Sequence, residues 1–384
     1  MKKILFISHE ASRTGAPFVL YYFLKWMKTH HPEINADVLL IKDGELVEDF
    51  RNVANTTFDF IESSNKFKKS IPYYFYRVNK IVDPSASPEY HFQKQFISKI
   101  AAGNYDIIYA NTVLSLPFAA MIKNQSRNKA QLIAHIHELD TMIDMALPEF
   151  HRYVDVVDQY IAVSKAVKQN LVDNRYIPEK KIKVVYEFST AEQIEHKSSS
   201  NSSKNWFEVG GAGSVQFRKG SDIFIQVAFH VKSKAPDAKV KFRWVGAFSA
   251  DSNEELIRAD LQKAGLTEQV IFEGATNVPH SYFRNFDVFL LTSREDPFPL
   301  VCIEAGMLGK PVICFNQGNG TAEVLATGGG KLIPYLDAEA MAYAILNYYN
   351  NPETIKTDGL KAKEIFSEFV PEKICPAIFE LFRK

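Results

Sequence analysis

Two acids, Asp296 and Glu304, stand with seven residues between them in the stretch Thr292-Ser293-Arg294-Glu295-Asp296-Pro297-Phe298-Pro299-Leu300-Val301-Cys302-Ile303-Glu304-Ala305-Gly306. The apolar run at 288–291 reads as a buried strand, and the proline-bracketed turn after it feeds a helix that begins near Pro299. Free backbone N–H groups at such a helix start face the strand ends and suit a phosphate. Glu304 falls about one turn further in, among apolar neighbours, where a carboxylate needs a partner. The two hydroxyls of a ribose would supply one, and so would Lys310. Asp296 alone reads equally as a turn residue of the helix-cap kind. Both acids across one turn and helix start favour a ligand site.

A second cluster follows the apolar residues 207–209: Gly210-Gly211-Ala212-Gly213-Ser214-Val215-Gln216-Phe217-Arg218-Lys219-Gly220. Glycines admit a ligand close to the backbone, and an Arg-Lys pair joins a planar fork to a point charge, which suits a diphosphate. Taken alone, the segment reads as well as a glycine turn with a solvated basic pair. His137 ends the apolar run at 132–136, with His135 two residues earlier on the same face of a strand. The later histidine, at the loop where sites form, is the candidate, and His135 is read as a hydrogen-bonded core residue.

Other chemistries lack their residues. The sequence has no Gly-x-Ser-x-Gly elbow and no His-Glu-x-x-His helix. It has no Asp-x-Asp triplet, so no metal is indicated, and the charge of a diphosphate should fall to Arg218, Lys219 and the helix start. Gly211-Ala212-Gly213 lacks the third glycine of a dinucleotide-binding fingerprint.

The elements that must position these residues alternate along the chain. Apolar runs at 4–7, 38–41, 107–110, 132–136, 160–163 and 182–185 are mostly separated by segments of helical length, the first helix covering about 18–28. After the polar stretch 196–204, which reads as a Ser-rich connector, strands are expected at 207–209, 240–245, 270–272, 288–291, 312–315 and 332–333. The tail from 338 reads as helical, broken at Pro352, Pro371 and Pro376. This pattern predicts an α/β chain of two doubly wound, Rossmann-like domains with an interdomain cleft as the default ligand site. The expected boundaries are 1–195 for the first domain, 196–204 for the linker, 205–365 for the second domain, and 366–384 for a C-terminal helix returning to the first domain.

With 384 residues, 46% of them hydrophobic, the chain can build two cores. Its 45 basic and 45 acidic residues balance, so no global field selects nucleic acid or an anionic membrane. Cys302, Cys314 and Cys375 show no ligand-like spacing, and the first apolar run is too short for a signal peptide or a span, so a cytoplasmic protein is expected.

The segment 293–312, with its Asp296/Glu304 pair followed by Ala305-Gly306-Met307-Leu308-Gly309-Lys310-Pro311-Val312, resembles the Glu-x7-Glu signature of retaining GT-B glycosyltransferases of family four. The likeness extends to Arg218-Lys219-Gly220, Trp244-Val245-Gly246, Phe272-Glu273-Gly274 and the loop 318–323, and in the first half to His137-Glu138-Leu139 and Val163-Ser164-Lys165. It implies transfer of a sugar from a nucleoside diphosphate sugar, with retention, to a glycan or lipid-linked acceptor in cell-surface polysaccharide synthesis. No further cofactor is implied. By resemblance, Glu304 holds the ribose, Asp296 the donor-sugar hydroxyls, and Lys219 with Arg218 the diphosphate. The amides of Leu300 and Val301 cap the phosphate, Phe298 lies on the donor side, and His137 contacts the donor sugar near the reacting carbon. Gly15 matches the loop after the first strand, where the family more often has Gly-Gly and this chain has Thr14-Gly15. Asp296 stands where the family has Glu, and Ser214 where many members carry an arginine.

Three alternatives use the same architecture: an epimerase, a phosphorylase, and a non-catalytic partner that binds a nucleotide sugar. Residues 66–80, with five basic and five aromatic side chains and no acid, are expected to rest against an anionic membrane or a lipid-linked acceptor.

Overall fold

The structure, a computed structural model, describes residues 2–70, 87–190, 205–249 and 254–383. The chain forms two compact units, Met1–Val163 with Val167–Val185 and Ile374–Lys384, and Ser164–Ala166 with Tyr186–Lys373. The connector read at 196–204, and residues 71–80 of the basic, aromatic segment, lie outside the described residues.

In the first unit the elements run β1 (Lys3–Ser8), α1 (Gly15–His30), β2 (Asn35–Leu40), α2 (Val47–Val53), β3 (Thr56–Asp59), α3 (Phe60–Lys68), α4 (Pro88–Ala101), β4 (Ile107–Asn111), α5 (Leu116–Gln125), β5 (Gln131–Ile136), α6 (Asp140–Ala146), β6 (Gln159–Ala162), α7 (Lys165–Asp173) and β7 (Ile182–Val184). The strands form one sheet of order β3-β2-β1-β4-β5-β6-β7, in which every pairing is parallel. The order reverses between β1 and β4, the place where an open α/β sheet collects ligands beyond its strand ends. Register brings those ends level: Ser8 pairs with Asn111 and Asn111 with His135. The apolar runs of β1, β2, β4 and β5 are buried almost throughout, as a sheet covered on both faces requires. Edge strand β3, Thr-Thr-Phe-Asp, is half exposed and lacks such a run, which is why the sequence pattern passes over it.

The second unit repeats the scheme: β8 (Phe207–Ala212), α8 (Ser221–Lys234), β9 (Val240–Val245), α9 (Glu254–Lys263), β10 (Val270–Phe272), α10 (Pro279–Phe283), β11 (Val288–Leu291), α11 (Leu300–Met307), β12 (Val312–Phe315), α12 (Thr321–Leu325), β13 (Gly330–Ile333), α13 (Ala338–Asn350) and α14 (Pro352–Phe366). Its parallel sheet has the order β10-β9-β8-β11-β12-β13, with the reversal between β8 and β11. Phe224, Phe242 and Trp244 meet edge to face in its core.

Two sequence expectations change here. Gly210, Gly211 and Ala212 belong to β8 and not to the loop beyond it. A Cβ on Gly210 would lie 1.9 Å from the Phe286 ring, so this glycine serves core packing and not a ligand. Pro376 does not break the tail. It sits inside α15 (Pro371–Phe379), whereas Pro352 and Pro371 each open a helix. Residues beyond Ile374 join the first core, where Phe382 packs against Phe6, Phe23 and Tyr109.

Candidate functional site

In the second unit the loops after β8, β11 and β12 are tied together by backbone bonds. Arg294 N donates to Arg218 O at 2.8 Å, Asp296 N to Gly318 O at 2.8 Å, and Gly320 N to Pro297 O at 2.8 Å. The turn Phe217–Lys219 and the β11 loop are thereby fixed against each other, and they bring three candidates together. Lys219 Nζ donates to Asp296 Oδ2 at 2.6 Å, and the Ser293 hydroxyl donates to the same oxygen at 3.0 Å. Arg218 Nη1 donates to Glu295 O at 2.8 Å and stands 4.0 Å from Asp296 Oδ1. Asp296 is only 5% exposed. Burial alone would raise its carboxyl, but Lys219, Arg218 and the Ser293 hydroxyl outweigh burial and hold it below the ordinary aspartate range. Arg294 is committed elsewhere: it pairs with both oxygens of Asp222 at 2.8 Å and lies over the exposed Phe217 ring.

Pro299 precedes α11 as its cap residue, without a side-chain bond, and Cys302 N bonds back to Pro299 O. Leu300 and Val301 occupy the first turn, where N–H groups have no intrahelical acceptor. Phe298 differs from the expectation of a donor-facing side chain. Its ring is buried between Tyr186 at 4.9 Å and Phe369 at 5.0 Å, so the side chain packs the turn.

Glu304 is 8% exposed, one turn into α11. A Cβ on neighbouring Gly306 would lie 2.0 Å from the Phe366 ring, so glycine is what lets α14 close on this helix. Lys310 is not its partner, since Lys310 Nζ donates to Arg284 O at 2.7 Å. The Ser189 hydroxyl donates to Glu304 Oε1 at 3.0 Å, and His280 Nε2 lies 3.1 Å from Oε2 without hydrogen-bond alignment. Neither Ser189 nor His280 carries a motif or spacing that points to Glu304, and the sequence reading missed both.

In the first unit Gly15 opens α1 after the loop 9–14 that follows β1, and His137 follows β5. Asn111, the last residue of β4, connects them. Its Nδ2 donates to Ala16 O at 2.9 Å and its Oδ1 meets His137 Nε2 at 2.9 Å. Since Asn111 Oδ1 can only accept, His137 Nε2 carries the proton. Glu138 accepts from His137 N at 3.0 Å, which orders the same turn. His135 lies beneath, bonded to the Tyr109 hydroxyl at 2.6 Å, and burial holds its imidazole well below the usual range, as a core histidine. His9, the residue after β1, meets the Thr112 hydroxyl at 3.1 Å. Burial lowers it, Glu10 raises it, and His137 lowers it further, for a net depression. Thr112 has φ 76° and ψ 161°, a conformation close to glycine-only that costs on the order of 1–3 kcal/mol and concentrates at functional sites. His9, Asn111 and Thr112 stand directly at strand ends, so the strand-end rule could have found them.

Among the described residues no group of three or more His, Cys, Asp or Glu side chains is placed to hold a metal ion. No described helix is long and apolar enough to cross a membrane. Lys66, from the basic segment, pairs with Glu62 at 2.6 Å, an acid just upstream of the stretch that was read as free of acids.

Residues 59–188 match the family model Glycosyltransferase Family 4, and residues 207–351 match Glycosyl transferases group 1. The lipopolysaccharide core biosynthesis mannosyltransferase LpcC of Rhizobium leguminosarum bv. viciae is 26% identical over 44% of this chain and 49% of its own. The O-antigen chain mannosyltransferase C of Escherichia coli is 23% identical over 86% of this chain and 90% of its own. The chain spans about half the length, or less, of several curated relatives it matches. Among solved structures, Anabaena HepE in complex with UDP-glucose superposes with a TM-score of 0.77 over 100% of both chains at 21% identity, the fold of a two-sheet GT-B glycosyltransferase.

Proposed function

Because this chain belongs to the glycosyltransferases, with a family four domain followed by a group 1 domain, we propose that it moves a sugar from a nucleoside diphosphate sugar to a glycan or lipid-linked acceptor in cell-surface polysaccharide synthesis. The observation that carries this reading is the cluster of Lys219, Arg218 and Asp296 beside the first turn of α11, with Glu304 one turn further in. It joins two cations and helix-start N–H groups, suited to a diphosphate, to a buried acid suited to a diol.

As the glycosidic bond breaks, negative charge develops on the leaving diphosphate. Arg218, Lys219 and the amides of Leu300 and Val301 are the groups that would meet it, and measured donors of this kind lower a barrier by about 3 kcal/mol each. Asp296, kept ionised by its cations, would accept hydrogen bonds from sugar hydroxyls. In the first unit His137, held by Asn111 with its proton on Nε2, would contact the sugar near the reacting carbon. No side chain is assigned as a nucleophile, which fits transfer with retention on one face.

UDP-glucose is the first donor to test, because HepE was solved with it. The names of the LpcC and O-antigen relatives favour a polysaccharide acceptor. A panel of UDP-, GDP-, ADP- and dTDP-sugars in a thermal-shift assay tests the reading, since a ligand of the native state raises its melting temperature. One nucleotide class should stabilise the wild type, and Lys219→Met should abolish the shift. No stabilisation by any of them would contradict the proposal.

A further inference from the structure

Glu304 has a neighbour distant in sequence at each carboxylate oxygen: the Ser189 hydroxyl donates to Oε1 at 3.0 Å, and the His280 ring packs beside Oε2 with Nε2 at 3.1 Å. A glutamate side chain turns about three bonds, and partners on separate oxygens fix the plane of its carboxylate. The two partners differ in kind. Ser189 is buried and makes a true hydrogen bond, whereas His280 Nε2 is buried beside Oε2 without the alignment of one. Lone pairs of Oε2 are therefore not consumed by the imidazole. The ring is itself oriented, edge-on to the fully buried Phe283 one helical turn later. A lysine or arginine there would set a permanent charge against Glu304, whereas the imidazole bounds the carboxylate by packing beside Oε2.

We propose that His280 is a positioning residue of the donor site: with Ser189 it fixes the Glu304 carboxylate in the attitude that receives a ribose diol, and so gives the site its preference for a ribonucleotide over the 2′-deoxy form. The inference rests on the reading of Glu304 as the ribose acid. A site built to bond a hydroxyl rejects the analogue lacking it only while its polar group is held in place.

The test is calorimetry of the full chain with UDP and with 2′-deoxy-UDP, for wild type, His280→Ala, His280→Asn and Ser189→Ala. Wild type should favour UDP over 2′-deoxy-UDP by about tenfold or more, the size of one well-placed hydrogen bond. His280→Ala should weaken UDP by about tenfold and bring the two affinities close together, and His280→Asn should restore part of the preference. A merely structural His280 would lower the melting temperature and both affinities in proportion. An unchanged ratio in His280→Ala therefore overturns the proposal. If wild type binds none of UDP, GDP, ADP and dTDP, the donor reading itself fails and this inference falls with it; if it prefers dTDP, itself a 2′-deoxynucleotide, only this inference fails. If wild type binds UDP while the His280→Ala ratio holds, only this inference fails.

Discussion

Lys219 Nζ lies 2.6 Å from Asp296 Oδ2, joining in one ion pair two residues that the sequence assigned to different parts of a donor, the diphosphate and the sugar. Their separation of 77 positions in the chain is closed by the backbone bonds between the β8 and β11 loops. The pair makes the two positions one electrostatic unit, since a change to either residue alters the charge at both.

Removing one member of a buried pair leaves the other uncompensated. Lys219→Met should lower stability by about 2–3 kcal/mol, less than the full penalty because Arg218 and Ser293 remain near Asp296. The double variant Lys219→Met/Asp296→Asn should recover about 1 kcal/mol or more relative to the sum of the single changes. Urea unfolding of the four proteins measures the coupling. Transfer activity should stay lost in all three variants, which separates stability from chemistry.

The same pair gives stability a pH dependence. The Asp296 carboxyl is lower in the fold than in the unfolded chain, so its contribution is complete above the ordinary aspartate value of about 4. It is lost as pH falls through the folded value. Unfolding free energy should therefore drop more steeply on acidification in wild type than in Asp296→Asn. Parallel curves would show that Asp296 is not held as the geometry requires.

Glu304→Gln keeps the volume of the side chain and an oxygen for the Ser189 hydroxyl. It should leave the melting temperature within about 1 °C of wild type, a shift that corresponds to about 1 kcal/mol or less in a chain of this size. Donor affinity in calorimetry should fall by about tenfold or more. A sharp loss of melting temperature with unchanged affinity would make Glu304 a structural acid.

Asn111→Ala removes the bond that holds His137 and the one that anchors Ala16 O. Turnover should fall by about 100-fold, the scale of a misplaced reacting group. Donor affinity should change little. Steady-state kinetics with separate calorimetry tests this split.

Much of the architecture was legible because parallel strands buried on both faces leave continuous apolar runs, as at β1, β5 and β11. Where that condition fails, so does the reading, and half-exposed β3 left no run to find. Gly210 and Gly211 misled because a glycine that makes room for Phe286 or Trp244 looks in sequence like one that makes room for a ligand. Asp296, Arg218 and Lys219 were visible as residue types in the loops after strands, and Glu304 as an acid one turn into the helix that follows. What held them was not: Ser189 reaches Glu304 across 115 positions, and only the folded chain brings them together. Phe298 sits in the right turn, but its burial against Tyr186 and Phe369 depends on partners far away in sequence.

We propose that Arg218, Lys219 and the start of α11 neutralise the diphosphate without a divalent ion, since the sequence offers no Asp-x-Asp triplet to hold one. Transfer should persist in excess EDTA. Complete loss, restored by magnesium or manganese, would contradict the metal-free clamp.

The most direct measurement of the central claim is release of nucleoside diphosphate from a panel of nucleotide sugars by the purified chain, with and without an extracted polysaccharide or lipid-linked glycan acceptor. One donor class should give diphosphate in step with sugar incorporated into the acceptor, and Lys219→Met and Asp296→Asn should each reduce that flux by about 100-fold or more, as loss of transition-state charge stabilisation does. Turnover that is undiminished in both variants would contradict the account.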